Sequence, residues 1–237
     1  MKILFKPQTE WLPPEEFKDL SSYDEIAIDL ETKDPELKTM GSGSVTGQAE
    51  IVGIALAVDG WSAYYPIAHE GGGNMDRKKV MDYFRTVLNY SSTKIFHNAM
   101  YDVCFIRAAG LKINGTIVDT MIAGSLVNEN RFRYDLGSLG RDYLGKGKNE
   151  AVLLETAKQW GIDPKSEMYK LPAMYVGEYA ERDAELTLEL WQEMKKQMLA
   201  EEVTSIFELE TELFPCLVDM RFLGVRVDVE AANQLKN

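Results

Sequence analysis

Cysteine, histidine and excess positive charge are all scarce in this chain of 237 residues, and each scarcity narrows the function. Two cysteines occur, Cys104 and Cys216. Both sit in apolar periodic segments and read as buried thiols, with neither a disulfide framework nor a zinc-ligand spacing around them. The two histidines, His69 and His97, stand apart from any metal-ligand pattern. No apolar run reaches the ~18 residues that a membrane-spanning helix needs, so no membrane partner is expected. The opening stretch, MKILFKPQTEWLPPEEF, lacks the apolar core and small-residue cleavage site of a signal peptide. An intracellular, cytoplasmic protein is expected. Gly71-Gly72-Gly73 has neither the lysine nor the full Gly-x-Gly-x-x-Gly spacing, so it reads as a connection rather than a phosphate loop. Lysine and arginine number 26 against 38 aspartates and glutamates, a formal charge of −12. That argues against a wide basic surface for duplex DNA or RNA, but not against an enzyme whose acidic cleft takes up cations before it meets a single strand.

What is present is an ordinary globular composition, 45% apolar and 27% charged, with apolar periodicity that changes along the chain. Residues 24–30 alternate as a first strand. Residues 33–50, polar and glycine-containing, read as an extended mobile loop or a surface hairpin connection that could border a cleft. Residues 51–58 and 61–67 read as two further strands joined at Asp59-Gly60, giving a mostly antiparallel meander. Strand–helix units follow: a helix over 76–90, a strand over 94–97, a helix over 101–109 capped by Asn98, a strand over 113–118 and a helix over 121–127. Residues 128–172 read as helices joined by glycine turns. Within them Lys146-Gly147-Lys148 is a small basic turn, read as solvent-exposed although it could touch a phosphate. Residues 175–212 form one long helical tract, interrupted near Thr204-Ser205, and Pro215 is expected to bend or end it. Val225-Arg226-Val227-Asp228 reads as a small strand. The whole is α/β: a mixed sheet with flanking helices and a partial helical tail. A domain over 1–200 and a linker helix with a truncated start of a further region over 201–237 are expected, as in a fragment of a longer protein.

The chemistry concentrates in acidic positions. On the first strand Ile26, Ile28 and Leu30 share one face while Asp29 and Glu31 share the other, about 6.6 Å apart. Two carboxylates so close are costly in a buried setting, and divalent cations are the usual compensation. Taken alone, the pair could equally be a solvated strand end. Asp102 enters the start of an otherwise apolar helix, four residues after Asn98, where a capping or dipole role competes with a cleft role. Tyr179 and Asp183 lie at i,i+4 and so on one helical face; surface solvation is the plain alternative for them.

Taken in order, Asp-x-Glu on a strand, Asn-x3-Asp after a later strand and Tyr-x3-Asp on a long helix resemble the proofreading 3′–5′ exonuclease domain of family A DNA polymerases, of the DEDDy type. The resemblance covers about residues 20–200. It implies a ribonuclease H-like fold, and Asp29, Glu31, Asp102, Tyr179 and Asp183 as catalytic residues. Of these, Asp29, Glu31, Asp102 and Asp183 would hold two divalent ions, Mg2+ or Mn2+. Asp29 would bridge both ions, and Tyr179 would orient or help deprotonate the attacking water. Leu30, Thr32, Asn98, Tyr101 and Phe105 would meet the terminal nucleotide, with core packing the competing role for Tyr101 and Phe105. Asp119, in Val118-Asp119-Thr120, is expected to be structural. The tail around Glu208–Pro215 and Met220–Asp228 resembles the entry into a polymerase region, although Arg221 stands where an acidic residue is more usual.

The resemblance thus implies an exodeoxyribonuclease that takes nucleoside 5′-monophosphates from single-stranded or frayed DNA 3′ ends. Its partner would be a polymerase domain of the same polypeptide, in a monomeric protein. The long polar loop suggests a bacteriophage-type or otherwise divergent polymerase, with the host cytoplasm as its location if it is phage-encoded. Two other readings compete: a 3′–5′ exoribonuclease with the same metal site, and an inactive DNA-binding or structural domain with a vestigial cleft.

Overall fold

In the computed structural model, residues 9–236 are described. Five strands form one mixed sheet: β1 (Glu25–Lys33), β2 (Glu50–Val58), β3 (Trp61–Pro66), β4 (Thr93–Phe96) and β5 (Ile117–Asp119), in the order β3-β2-β1-β4-β5. The first three pair antiparallel, with the Asp59-Gly60 turn between β2 and β3, and β4 and β5 add on parallel. The expected meander followed by strand–helix units is therefore what forms. Central β1 buries Ile26, Ile28 and Leu30 on one face, against α3 (Arg77–Asn89) and α4 (Ala99–Ala108). Its other face carries Ala27, Asp29 and Glu31 toward a second core.

Alanines set how that second face is covered. Ala27 on β1 and Ala55 and Ala57 on β2 share a buried cluster with Ala180 and Ala184 of helix α8 (Gly177–Ala200). With only methyl groups between them, α8 can lie close across β1, β2 and β3. Tyr179 and Asp183 lie on this helix within one turn of those alanines. Trp191, Met194 and Met198 continue the buried stripe further along α8.

Several expectations are corrected. The 33–50 loop is not extended throughout. It folds into two single turns, α1 (Leu37–Met40) and α2 (Gly43–Thr46), fastened where buried Asp34 accepts the Gly43 N–H at 3.0 Å. None of it lines the cleft described below. Asn98 stands at the start of α4 but does not cap it; it sits at φ 65 with no side-chain cap bond. Asp119 does the capping instead. Its Oδ1 accepts the N–H groups of Asn98 and Met121 and its Oδ2 that of Ala99, so one carboxylate starts both α4 and α5 (Thr120–Val127).

Residues 128–172 form α6 (Leu136–Leu139), a wide turn over Gly140–Leu144, α7 (Ala151–Trp160) and two short turns. Beyond α8 the chain breaks at 201–203 and continues as α9 (Thr204–Leu223). Pro215 does not end this helix. It faces solvent, where water can satisfy the carbonyl that lacks its N–H partner. Buried Phe214 and Val218 pin the helix on either side, and Arg107 stacks over Phe222 while pairing with Asp219. Residues 225–228 are not a strand; Asp228 accepts the Ala231 N–H at the start of α10 (Val229–Lys236). Cys104 is buried as expected, whereas Cys216 is exposed on α9. Among the described residues no helix is long and apolar enough to cross a membrane.

Candidate active site

A cleft of about 970 Å³ opens where the end of β1 meets α8. Asp29, Leu30, Glu31 and Thr32 line it from the strand, Asn98 and Tyr101 from the start of α4, and Tyr179 and Asp183 from α8. Eight of the ten residues singled out from the sequence thus face one space. The other two stand behind it. Asp102 is buried and its Oδ1 accepts the Leu30 N–H at 3.0 Å, tying α4 to the active end of β1. Phe105 is buried in the core, its ring 4.9 Å from that of Tyr101, and it does not line the cleft. Tyr101 and Thr32 meet at the mouth, hydroxyl to hydroxyl at 2.7 Å.

The register of β1 slips between Glu31 and Thr32, where β2 carries an extra residue opposite. Such a bulge twists a strand locally and re-aims its side chains. Gly53, paired with Glu31, leaves room for the Tyr64 side chain, whose hydroxyl would lie 2.0 Å from a Cβ built there.

Charge dominates this cleft. Glu31, Asp102 and Asp183 are 8%, 5% and 2% exposed. Burial raises the Asp29 carboxyl to about 7, with Asp183 beside it adding to the rise and Lys148 opposing it. Burial, then the neighbouring Asp29, lifts Glu31 and Asp102 well above the usual carboxylate range. Burial and Asp183 hold the Tyr179 phenol protonated. The Asp183 carboxyl is raised by burial against the pull of Lys148.

Lys148 is where the sequence reading needs its main correction. It is not a solvated turn residue: its ammonium lies 2.5 Å from Asp183 Oδ2 and 3.3 Å from the Tyr179 hydroxyl. Lys146 does sit at the surface, paired with Glu189. The available signal was charge balance, since several carboxylates expected in one cleft call for a cation and Lys148 lies between the second and third acidic motifs. Arg133, Arg141 and Lys165, also unremarked in the sequence, form a basic rim on the same cleft.

The 3′–5′ exonuclease family model, that of the family A DNA polymerase exonuclease, matches residues 6–199. The chain belongs to this family. A DNA-directed DNA polymerase of Pseudomonas phage M6 is 32% identical over 96% of this chain and 35% of its own length. The exonuclease chain therefore spans about a third of that relative. Among solved structures, Brucella melitensis NrnC with bound Mg2+ superposes with a TM-score of 0.61 at 19% identity, covering 87% of this chain and 89% of that one. The Mycobacterium smegmatis Pol1 structure with DNA primer-template and dNTP gives 0.62 at 16% identity, over 91% of this chain and 31% of that one. At such identities these neighbours establish a shared ribonuclease H-like fold.

The exonuclease cleft fits a hard divalent cation by the chemistry of its donors. They are carboxylate oxygens, too many for one ammonium to neutralise, and Asp183 Oδ1 is buried without any partner. The spacing is less complete. Among the described residues no three His, Cys, Asp or Glu side chains converge closely enough to hold an ion in this arrangement; Lys148 occupies the facing oxygen of Asp183 instead.

Proposed function

We propose that this exonuclease domain removes nucleoside 5′-monophosphates from single-stranded or frayed DNA 3′ ends, as the proofreading part of a longer DNA polymerase. The observation that carries this reading is the meeting of Asp29 and Glu31 from β1 with Tyr179 and Asp183 from α8 in one cleft. Asp29, Glu31, Asp102 and Asp183 would hold two Mg2+ or Mn2+ ions, which supply an acidified water and stabilise the departing 3′-oxygen. The protein's own part is orientation. Tyr179, kept protonated, can hold the attacking water by a hydrogen bond rather than remove its proton. Asp102 fixes the backbone of Leu30, so the strand that bears Asp29 and Glu31 cannot drift from α4. Leu30 and Thr32 would meet the terminal base and sugar. Asn98, exposed at the rim, would hold the sugar-phosphate. Tyr101 supports Thr32 through their shared hydrogen bond. Phe105 would act only from beneath, by packing against Tyr101.

The fit favours frayed ends because unpairing a matched terminus costs energy before the cleft can accept it. DNA is favoured over RNA because the phage relative that spans nearly the whole chain is a DNA polymerase, whereas solved structures below 25% identity speak to fold alone. The polymerase partner is supported by the relative's greater length. It is also supported by an apolar stripe on α9, where Leu209, Leu213, Leu217 and Met220 are 62%, 42%, 36% and 60% exposed.

The test is digestion of a strand labelled in its 3′-terminal nucleotide, with product analysis, with and without Mg2+, on DNA and RNA of one sequence and on matched and mismatched primer ends. Metal-dependent release of deoxynucleoside 5′-monophosphates, faster at mismatches, is expected. Equal rates on matched and mismatched ends would remove the proofreading role, and preferential digestion of RNA would move the assignment to RNA trimming.

A further inference from the structure

Lys148 enters the cleft on an unusual tether. Segment 145–150 has no regular secondary structure, and Gly145 has φ 65. A Cβ at Gly147 would meet nothing within 4 Å, and the Gly147 carbonyl accepts only a long 3.5 Å bond from Arg182 Nε. The side chain is 21% exposed, while the Asp183 side chain it grips is 3% exposed. The grip is one-sided: Oδ2 holds the ammonium and Oδ1 has no partner. The ammonium also lies over the Tyr179 ring, 5.2 Å from its centroid.

A divalent cation that takes the free Oδ1 of Asp183 meets the ammonium held on Oδ2 across the same carboxylate, and the two positive charges repel each other. Cation binding at Asp183 therefore favours positions of Lys148 further from the carboxylate. An incoming nucleotide phosphate is the natural destination, because a lysine is a compact charge on a flexible stem with three donors. We infer that Lys148 is a positioning residue that holds Asp183 in the metal-free cleft and releases it as a strand enters, its ammonium passing to the terminal phosphate while the cation takes the carboxylate. Strand entry and metal binding then reinforce each other, and by linkage each tightens the other by the same factor.

The inference rests on the metal-site reading above, so its test separates the two. Mn2+ is titrated calorimetrically into the 237-residue chain, with and without saturating dTMP, which supplies a phosphate and cannot be hydrolysed further. Wild type, Lys148→Met and Lys165→Met are compared. Lys165 lines the same cleft without pairing to its carboxylates, so its loss is a control for charge alone. Wild type is expected to bind Mn2+ about fivefold to tenfold more tightly with dTMP than without. Lys148→Met should bind Mn2+ that tightly with no dTMP, gain less than about twofold from adding it, and be matched by Lys148→Gln. Lys165→Met should follow wild type. A damaged fold would weaken binding, so tightening cannot be mistaken for it. Lys148→Met and Lys148→Gln binding Mn2+ no more tightly than wild type would overturn the inference, as would an equal shift in Lys165→Met. No Mn2+ binding by wild type, with or without dTMP, would overturn the metal-site reading and the inference with it.

Discussion

Tyr179 and His69 show how burial decides what a side chain can do. Tyr179 is held protonated by burial and by Asp183, so its hydroxyl can orient water but is a poor base at neutral pH. Tyr179→Phe should therefore lower the turnover number about 100-fold, while calorimetric Mn2+ binding stays unchanged. Full activity in that variant would remove Tyr179 from the reaction. His69 is 3% exposed; its Nδ1–H donates to the Leu171 carbonyl and its Nε2 accepts from the Tyr64 hydroxyl. Burial lowers its pKa to about 4. The folded state thus favours the neutral ring. The resulting stability is fully present above the unfolded value of 6.5 and is lost as pH falls through about 4. Against His69→Gln, wild type should lose up to about 3 kcal/mol of stability over that interval, read from urea melts at successive pH values. Parallel pH profiles for the two proteins would show that His69 titrates alike in the folded and unfolded chain.

At the scale of elements, the periodic segments were legible and the joints between them were not. Alternation in 25–32 placed Asp29 and Glu31 on one face because a strand leaves no choice about sides. The i,i+4 spacing of Tyr179 and Asp183 was equally binding on a long helix. What could not be read was which group satisfies a helix end or a buried charge from far along the chain. Asn98 is a good capping residue by type, yet it takes a left-handed conformation and Asp119, 21 residues on, supplies the cap. Lys148 reaches Asp183 across 35 residues. Pro215 is tolerated inside α9 because tertiary anchors on both sides outweigh the local break. The double cap is testable. Asp119→Ala leaves the N–H groups of Asn98 and Ala99 without acceptors and weakens the start of α5. It should cost about 2–3 kcal/mol in denaturant melts, with Asp119→Asn recovering part of it. A loss below about 0.5 kcal/mol would mean water replaces the carboxylate at no cost.

For the molecule as a whole, a cleft that gathers Asp29, Glu31 and Asp183 near Lys148, with Asp102 buried behind them, concentrates negative charge that one ammonium does not balance. Raised carboxyls mean that the folded state binds protons the unfolded chain would release. For Asp29 that stability is present below its ordinary value of 3.8 and disappears as pH rises through about 7. At pH 8, above that value, the metal-free protein therefore carries the Asp29 charge in its cleft. Removing that charge while keeping the shape should relieve the repulsion there, so Asp29→Asn should melt at a higher temperature than wild type in EDTA, by several degrees for each ~1 kcal/mol gained. Adding Mg2+ should reverse the order. Wild type gains stability from a ligand that binds only the folded state, while Asp29→Asn, with one donor lost, gains little and digests no DNA. Calorimetric melts of both proteins at pH 8, with and without Mg2+, check this directly. If Asp29→Asn melts below wild type in EDTA, the repulsion is already relieved by Lys148 and the cleft's acidity has no stability cost. If Mg2+ stabilises both proteins equally, the cation binds away from Asp29.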